Sequence, residues 1–107
     1  MAITLLTDKV FVNDIGTVFR TTVKEDGVAA DISAATTKTI IFQPPSGISV
    51  TQTAVLYTDG TDGIMQYVSV ADDLNVGGTW KLQGYVALPT WQGHGDQVEF
   101  KVYDVLT

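Results

Sequence analysis

His94 is the one histidine in the chain, set between Gly93 and Gly95 with Asp96 two residues on. An imidazole near neutral pH serves as a general base or a metal ligand. A transition-metal site needs further His or Cys ligands, and the sequence holds no cysteine and no second histidine. Glycine-flanked residues fall readily in surface loops, so an exposed or structural histidine is the weightier expectation.

The run Asp59-Gly60-Thr61-Asp62-Gly63 has oxygen donors of the kind calcium prefers. A helical calcium loop needs acidic residues at alternating positions and a later Glu, and neither is present. Asx-turn chemistry accounts for both aspartates and both glycines. Paired carboxylates could act as acid and base on a glycoside. Asp72-Asp73, Glu25-Asp26 and Asp14 are the candidates, and each reads as a turn beside a strand end. No G-x-S-x-G elbow and no phosphate-binding G-x-x-x-x-G-K-[ST] loop occurs. The expectation is no catalytic residue, no metal, no cofactor and no enzyme.

The aromatic residues offer contact chemistry instead. Trp80 alternates with Leu82, Val86 and Leu88 and reads as core. Trp91 stands between Pro89 and Gly93, where it either folds back over the end of the domain or anchors a partner. Gln92, His94, Tyr85 and Tyr103 join it as candidate partner or glycan contacts, since a tryptophan beside Tyr and Gln can form a sugar platform.

The elements that must position these residues are short β-rich runs cut by Gly, Asp, Asn and Pro. Lys9–Val12 is a first short run. Thr17–Lys24 puts Phe19, Thr21 and Val23 on one face, and Glu25-Asp26-Gly27 turns the chain. Asp31–Thr37 is a connection or a single helical turn. Strands follow at Lys38–Gln43, Ser49–Tyr57 and Ile64–Val70, with Pro44-Pro45-Ser46-Gly47 and Asp59–Gly63 between them. Asp72–Gly78 reads as a corner between sheets. Thr79–Leu88 is the longest strand, Pro89–Gly95 a loop, and Gln97–Val105 the last strand. About seven short strands without a sustained helical period predict an all-β, immunoglobulin-like two-sheet sandwich, with a small barrel as the competitor. The chain of 107 residues fits one domain, 1–107, with 1–12 an extra strand or an N-terminal arm.

A net charge of −6, with five Lys and one Arg scattered along the chain, excludes the clustered basic surface that nucleic acid requires. Anionic membranes are excluded on the same ground. No stretch reaches the roughly 18 apolar residues of a membrane span. Met1–Asp8 lacks the basic and apolar regions of a signal peptide, so synthesis in the cytoplasm is expected.

The order of motifs carries a resemblance. Asp14-Ile15-Gly16-Thr17 precedes a strand, followed by Glu25-Asp26-Gly27 and Asp31-Ile32-Ser33-Ala34-Ala35-Thr36. Pro45-Ser46-Gly47, Asp62-Gly63-Ile64-Met65-Gln66-Tyr67, Asp73-Leu74, Gly78-Thr79-Trp80-Lys81-Leu82-Gln83 and Phe100-Lys101-Val102 complete the series. From Asp14 to Val105 the chain resembles small immunoglobulin-like structural proteins of tailed bacteriophages. It is similar to the N-terminal domain of phage upper baseplate proteins, in which a stalk or receptor-binding region is expected after the position where this sequence stops, Thr107. The resemblance implies a virion component that binds other virion proteins, as a tail or baseplate accessory, a head decoration or a short head fibre. It also implies a homo-oligomer localised to the virion. The alternative is a carbohydrate-binding module, free or displayed on a virion, with a surface glycan as its partner.

Overall fold

Alternation of large apolar with polar residues, repeated in runs too short for helix, forces each run to bury one face against another sheet. The computed structural model describes residues 2–5, 10–95 and 97–105. Strands among them are β1 (Ala2–Leu5), β2 (Val10–Phe11), β3 (Val18–Thr22), β4 (Lys24–Glu25), β5 (Val28–Ala29) and β6 (Thr37–Gln43). They continue with β7 (Val50–Thr53), β8 (Val55–Leu56), β9 (Ile64–Val68), β10 (Gly78–Ala87), β11 (Gln92–His94) and β12 (Val98–Tyr103). No helix occurs among the described residues.

The strands form two main sheets, one in the order β1-β3-β9-β8 and the other β2-β12-β10-β6-β7, with β11 also paired to β10. All pairings are antiparallel except β2 with β12, which is parallel. The N-terminal run thus lends an edge strand to each sheet: Ala2–Leu5 pairs with Thr22–Phe19, and Val10 with Val102. Positions 1 and 6–9 of the expected strand or arm lie outside the described residues.

The sheets meet face to face over one core. Phe19 of β3 touches Phe42 of β6 at 5.1 Å and Phe100 of β12 at 5.3 Å between ring centroids, so a single ring of one sheet is lodged between two of the other. Trp80 packs on Phe100 at 6.1 Å. Ile40, Leu82, Val86, Val102, Val23, Ile32 and Met65 are buried with them, as are Val10, Ala54 and Leu74. Full burial of each Val, Leu, Ile, Phe or Met side chain contributes about 1.5–3 kcal/mol. The expected faces hold: Phe19, Thr21 and Val23 are buried together, as are Trp80, Leu82, Gly84 and Val86.

The strand segments outnumber the expected seven for local reasons. Ser49–Tyr57 breaks at buried Ala54, where the run leaves one sheet for the other, its amide still donating to the Lys38 carbonyl. Lys24–Glu25 and Val28–Ala29 close a small hairpin on Asp26 and Gly27, both at positive φ (52° and 81°), as a two-residue turn matched to strand twist demands. Asp31–Thr36 is a connection rather than a helical turn, with Asp31 accepting from the Ser33 amide at 2.9 Å and hydroxyl at 2.6 Å.

The expected loop at Pro89–Gly95 is corrected. Leu88 and Trp91 exchange backbone hydrogen bonds around Pro89-Thr90, and Gln92–His94 returns along Ala87–Tyr85 as β11. Gly95 then bonds to the Gly84 carbonyl before β12 begins.

Candidate functional site

The residues nominated from sequence separate in space. Tyr85 and His94 are cross-strand partners on the outer face of the larger sheet, with ring centroids 4.7 Å apart. The Tyr85 hydroxyl donates to Gln92 Oε1 at 3.2 Å. These three form one polar, aromatic cluster. Trp91 is not part of it. Gly93 alternates with Gln92 and His94 and so presents the opposite face of the hairpin. A Cβ placed on Gly93 would come within 3.1 Å of the Trp91 ring. The indole therefore lies back along the core-side face of the hairpin, still 38% exposed. Tyr103 is separated again. It stands at the other end of the sheet, where Val102 pairs with Gly78, about 25 Å along β10 from Tyr85 at 3.3 Å per residue. There it packs on Phe11, with the Lys101 ammonium 4.8 Å from its ring. Asp96 lies outside the described residues.

The calcium-like run is a turn held by its own donors. Asp59 accepts from the Thr61 hydroxyl at 2.7 Å and the Thr61 amide at 3.0 Å, and these bonds hold its carboxyl below the usual range. Asp62 accepts from Thr58 and from the Ile64 amide. Asp31 is likewise lowered by the Ser33 hydroxyl and amide. No group of three or more potential metal ligands occurs among the described residues.

A concavity lies between the β6–β7 turn and the Ser69–Asn75 corner. Its volume is about 270 Å³, with Phe19, Phe42, Tyr67 and Trp80 among its walls. Ile48 and Val50 also line it, 76% and 49% exposed. Asp73 organises the polar side. It accepts from the Tyr67 hydroxyl in a short bond, from the Val70 amide at 2.8 Å, and from Gln52 Nε2 at 3.2 Å. Burial, and then the adjacent Asp73 carboxylate, push the Tyr67 phenol up to about 12. The indole of Trp80 donates to the Val76 carbonyl at 2.9 Å, tying the corner to the core. Both Asp73 oxygens are engaged in holding this loop. The cleft offers an apolar seat with a fixed polar lip, and its size falls just below the roughly 300–1,000 Å³ of small-molecule sites.

Sequence reasoning did not assemble Tyr67, Asp73 and Gln52. A signal was present: alternation from Ile64 puts Met65, Tyr67 and Ser69 on one inward face, and inward hydroxyls need partners. Ser69 finds its partners beside β3 in the same sheet, accepting from the Thr17 amide and donating to the Asp14 carbonyl. Tyr67 finds Asp73.

Comparison with protein-family models, with curated proteins and with solved structures found no match for this chain.

Proposed function

We propose that this chain is a non-enzymatic structural protein of a tailed-bacteriophage virion, built on an immunoglobulin-like sandwich and acting by contact with other virion proteins. The virion role rests on the motif resemblance, and strand order is the observation that supports its immunoglobulin-like part. With β1, β3, β9 and β8 as strands A, B, E and D, one sheet has the immunoglobulin order A-B-E-D. With β12, β10, β6 and β7 as G, F, C and C′, the other follows the variable-type order G-F-C-C′. This agreement supports the resemblance that the motif series raised. The engagement of Asp31, Asp59, Asp62 and Asp73 in local turns supports a structural role over an acid–base one.

The test is an immunoblot of gradient-purified particles of the phage that encodes the chain, using antibody raised to the purified protein. The chain is expected in the particle fraction at a copy number comparable to other structural components. Its presence in the lysate but not in particles would remove the virion reading.

A carbohydrate-binding role is the second reading, favoured by the Tyr85–Gln92–His94 cluster alone. Binding on a glycan array that disappears in Tyr85→Ala would select it. A blank array would leave protein contact as the function.

A further inference from the structure

β7 closes one edge of the larger sheet, with β6 as its sole neighbour there among the described residues. The amide of Ala54 bonds to Lys38, and the ladder alternates from that point. Gln52 and Val50 therefore face β6 with their backbone groups, while the N–H and C=O groups of Thr51 and Thr53 point outward. Such an edge is a template for another strand, and folded proteins commonly blunt it with Lys, Pro or a bulge.

β7 is short, at four residues, but it holds no Lys or Pro, and its register with β6 is unbroken by a bulge. Between Thr39 and Thr58 there is no Asp, Glu, Lys or Arg, the longest uncharged run in a chain of net charge −6. The run covers the β6–β7 turn, β7 and β8. Its large exposed apolar side chains are Ile48, Val50, Val55 and Tyr57, the last with the Arg20 guanidinium 3.9 Å over its ring, and the threonines of β7 are exposed with them. The carboxylate bonded to β7, Asp73, is turned inward onto Gln52, Tyr67 and Val70. Two acidic copies repel wherever their charged surfaces meet. An uncharged edge is the contact they can share.

We infer that β7 is a self-pairing edge, through which two copies of this chain associate about a two-fold axis with their β7 strands antiparallel. Centring the axis on Gln52 sets Thr51 opposite the second copy's Thr53, and the outward N–H and C=O groups of each then bond the other. Thr–Thr pairs of this kind are favourable across antiparallel strands. A four-residue strand pair alone is smaller than a standard interface, and exposed Ile48, Val50 and Val55 supply flanking apolar area. The inference rests on the virion reading only for its setting, since repeated parts of a particle need contacts between copies.

Sedimentation velocity across a concentration series tests it on the full chain. The wild type is expected to pass from monomer to dimer. Association should tighten with added salt, because screening removes repulsion between the −6 copies. Thr51→Pro deletes an outward N–H and leaves the β6 ladder intact, as edge prolines do. It should raise the dimer Kd about 10- to 100-fold, two hydrogen bonds being lost per dimer. Thr51→Lys with Thr53→Lys gives a second, fold-preserving route, by setting like charges opposite each other. A wild type that stays monomeric, or a dimer indifferent to both variants, overturns the inference. A monomer that is nonetheless found in purified particles overturns the edge alone and leaves the virion reading standing.

Discussion

Thr21 and Tyr67 both turn a hydroxyl towards the interior, with opposite consequences. The Thr21 hydroxyl is buried and has no hydrogen-bond partner among the described residues. A buried donor left unsatisfied costs about 1–3 kcal/mol, and removal with shape retained is neutral or stabilising. Thr21→Val should therefore raise stability by about 1 kcal/mol, seen as a higher urea midpoint at unchanged slope. Tyr67 has its partner in Asp73, and its phenol is pushed up to about 12 from the usual value near 10. The raised value favours the folded state fully below pH ~10, and that contribution fades as pH climbs through the folded pKa. Phenolate absorbance should show a late-titrating phase for Tyr67. Tyr67→Phe should remove that late phase. Alternation in β9 made the inward position of Tyr67 legible; the choice of Asp73 over Asp72 depended on how the corner loop closed.

At the scale of elements, turns were read well where their residues leave one option and poorly where they do not. Asp26-Gly27 is a hairpin turn because both positions need positive φ. Pro89-Thr90 is also a two-residue hairpin turn, but proline fixes its own φ near −65°, and the usual Asn-Gly or Asp-Gly signal is missing. The sequence around Trp91 therefore read as a loop, and β11 went unseen. Gly60 shows how two connections lock together. At φ +92°, its missing Cβ would sit 2.7 Å from the Ser33 backbone, and its carbonyl accepts from Ile32. Gly60→Ala should destabilise by on the order of 2–4 kcal/mol, from left-handed strain plus overpacking. Chemical denaturation measures this directly, and a change under about 0.5 kcal/mol, typical of a plain surface site, would show that the loops do not rely on that contact.

For the whole molecule, stability rests on the seam between the sheets. Phe19 reaches both Phe42 and Phe100, so its loss opens a cavity between the sheets rather than within one. Phe19→Ala should cost about 3–5 kcal/mol, a large share of the 5–15 kcal/mol by which folded domains are usually stable. Loss of the cooperative thermal transition, or a fall in midpoint well beyond that of Thr21→Val in the other direction, is the expected readout. The same seam shapes function: β6, β7, β9 and the Ser69–Asn75 corner meet there to form the cleft, beside the uncharged edge.

Local patterning along the chain was enough to establish that the protein is all-β, which residues of β3 and β10 face inward, where most turns fall, and that Trp80 is core. These properties are local, set by side-chain alternation over two residues and by backbone preferences within four. Tertiary structure alone decided which strands became neighbours, and with that the separation of Trp91 and Tyr103 from the Tyr85–Gln92–His94 cluster. It also decided the meeting of Tyr67, Gln52 and Asp73, and the outward aim of Thr51 and Thr53. Those outcomes depend on pairing order and register between segments far apart in the chain. A shift of one residue in register would turn every side chain of a strand to its other face, and only the packed core selects among such alternatives.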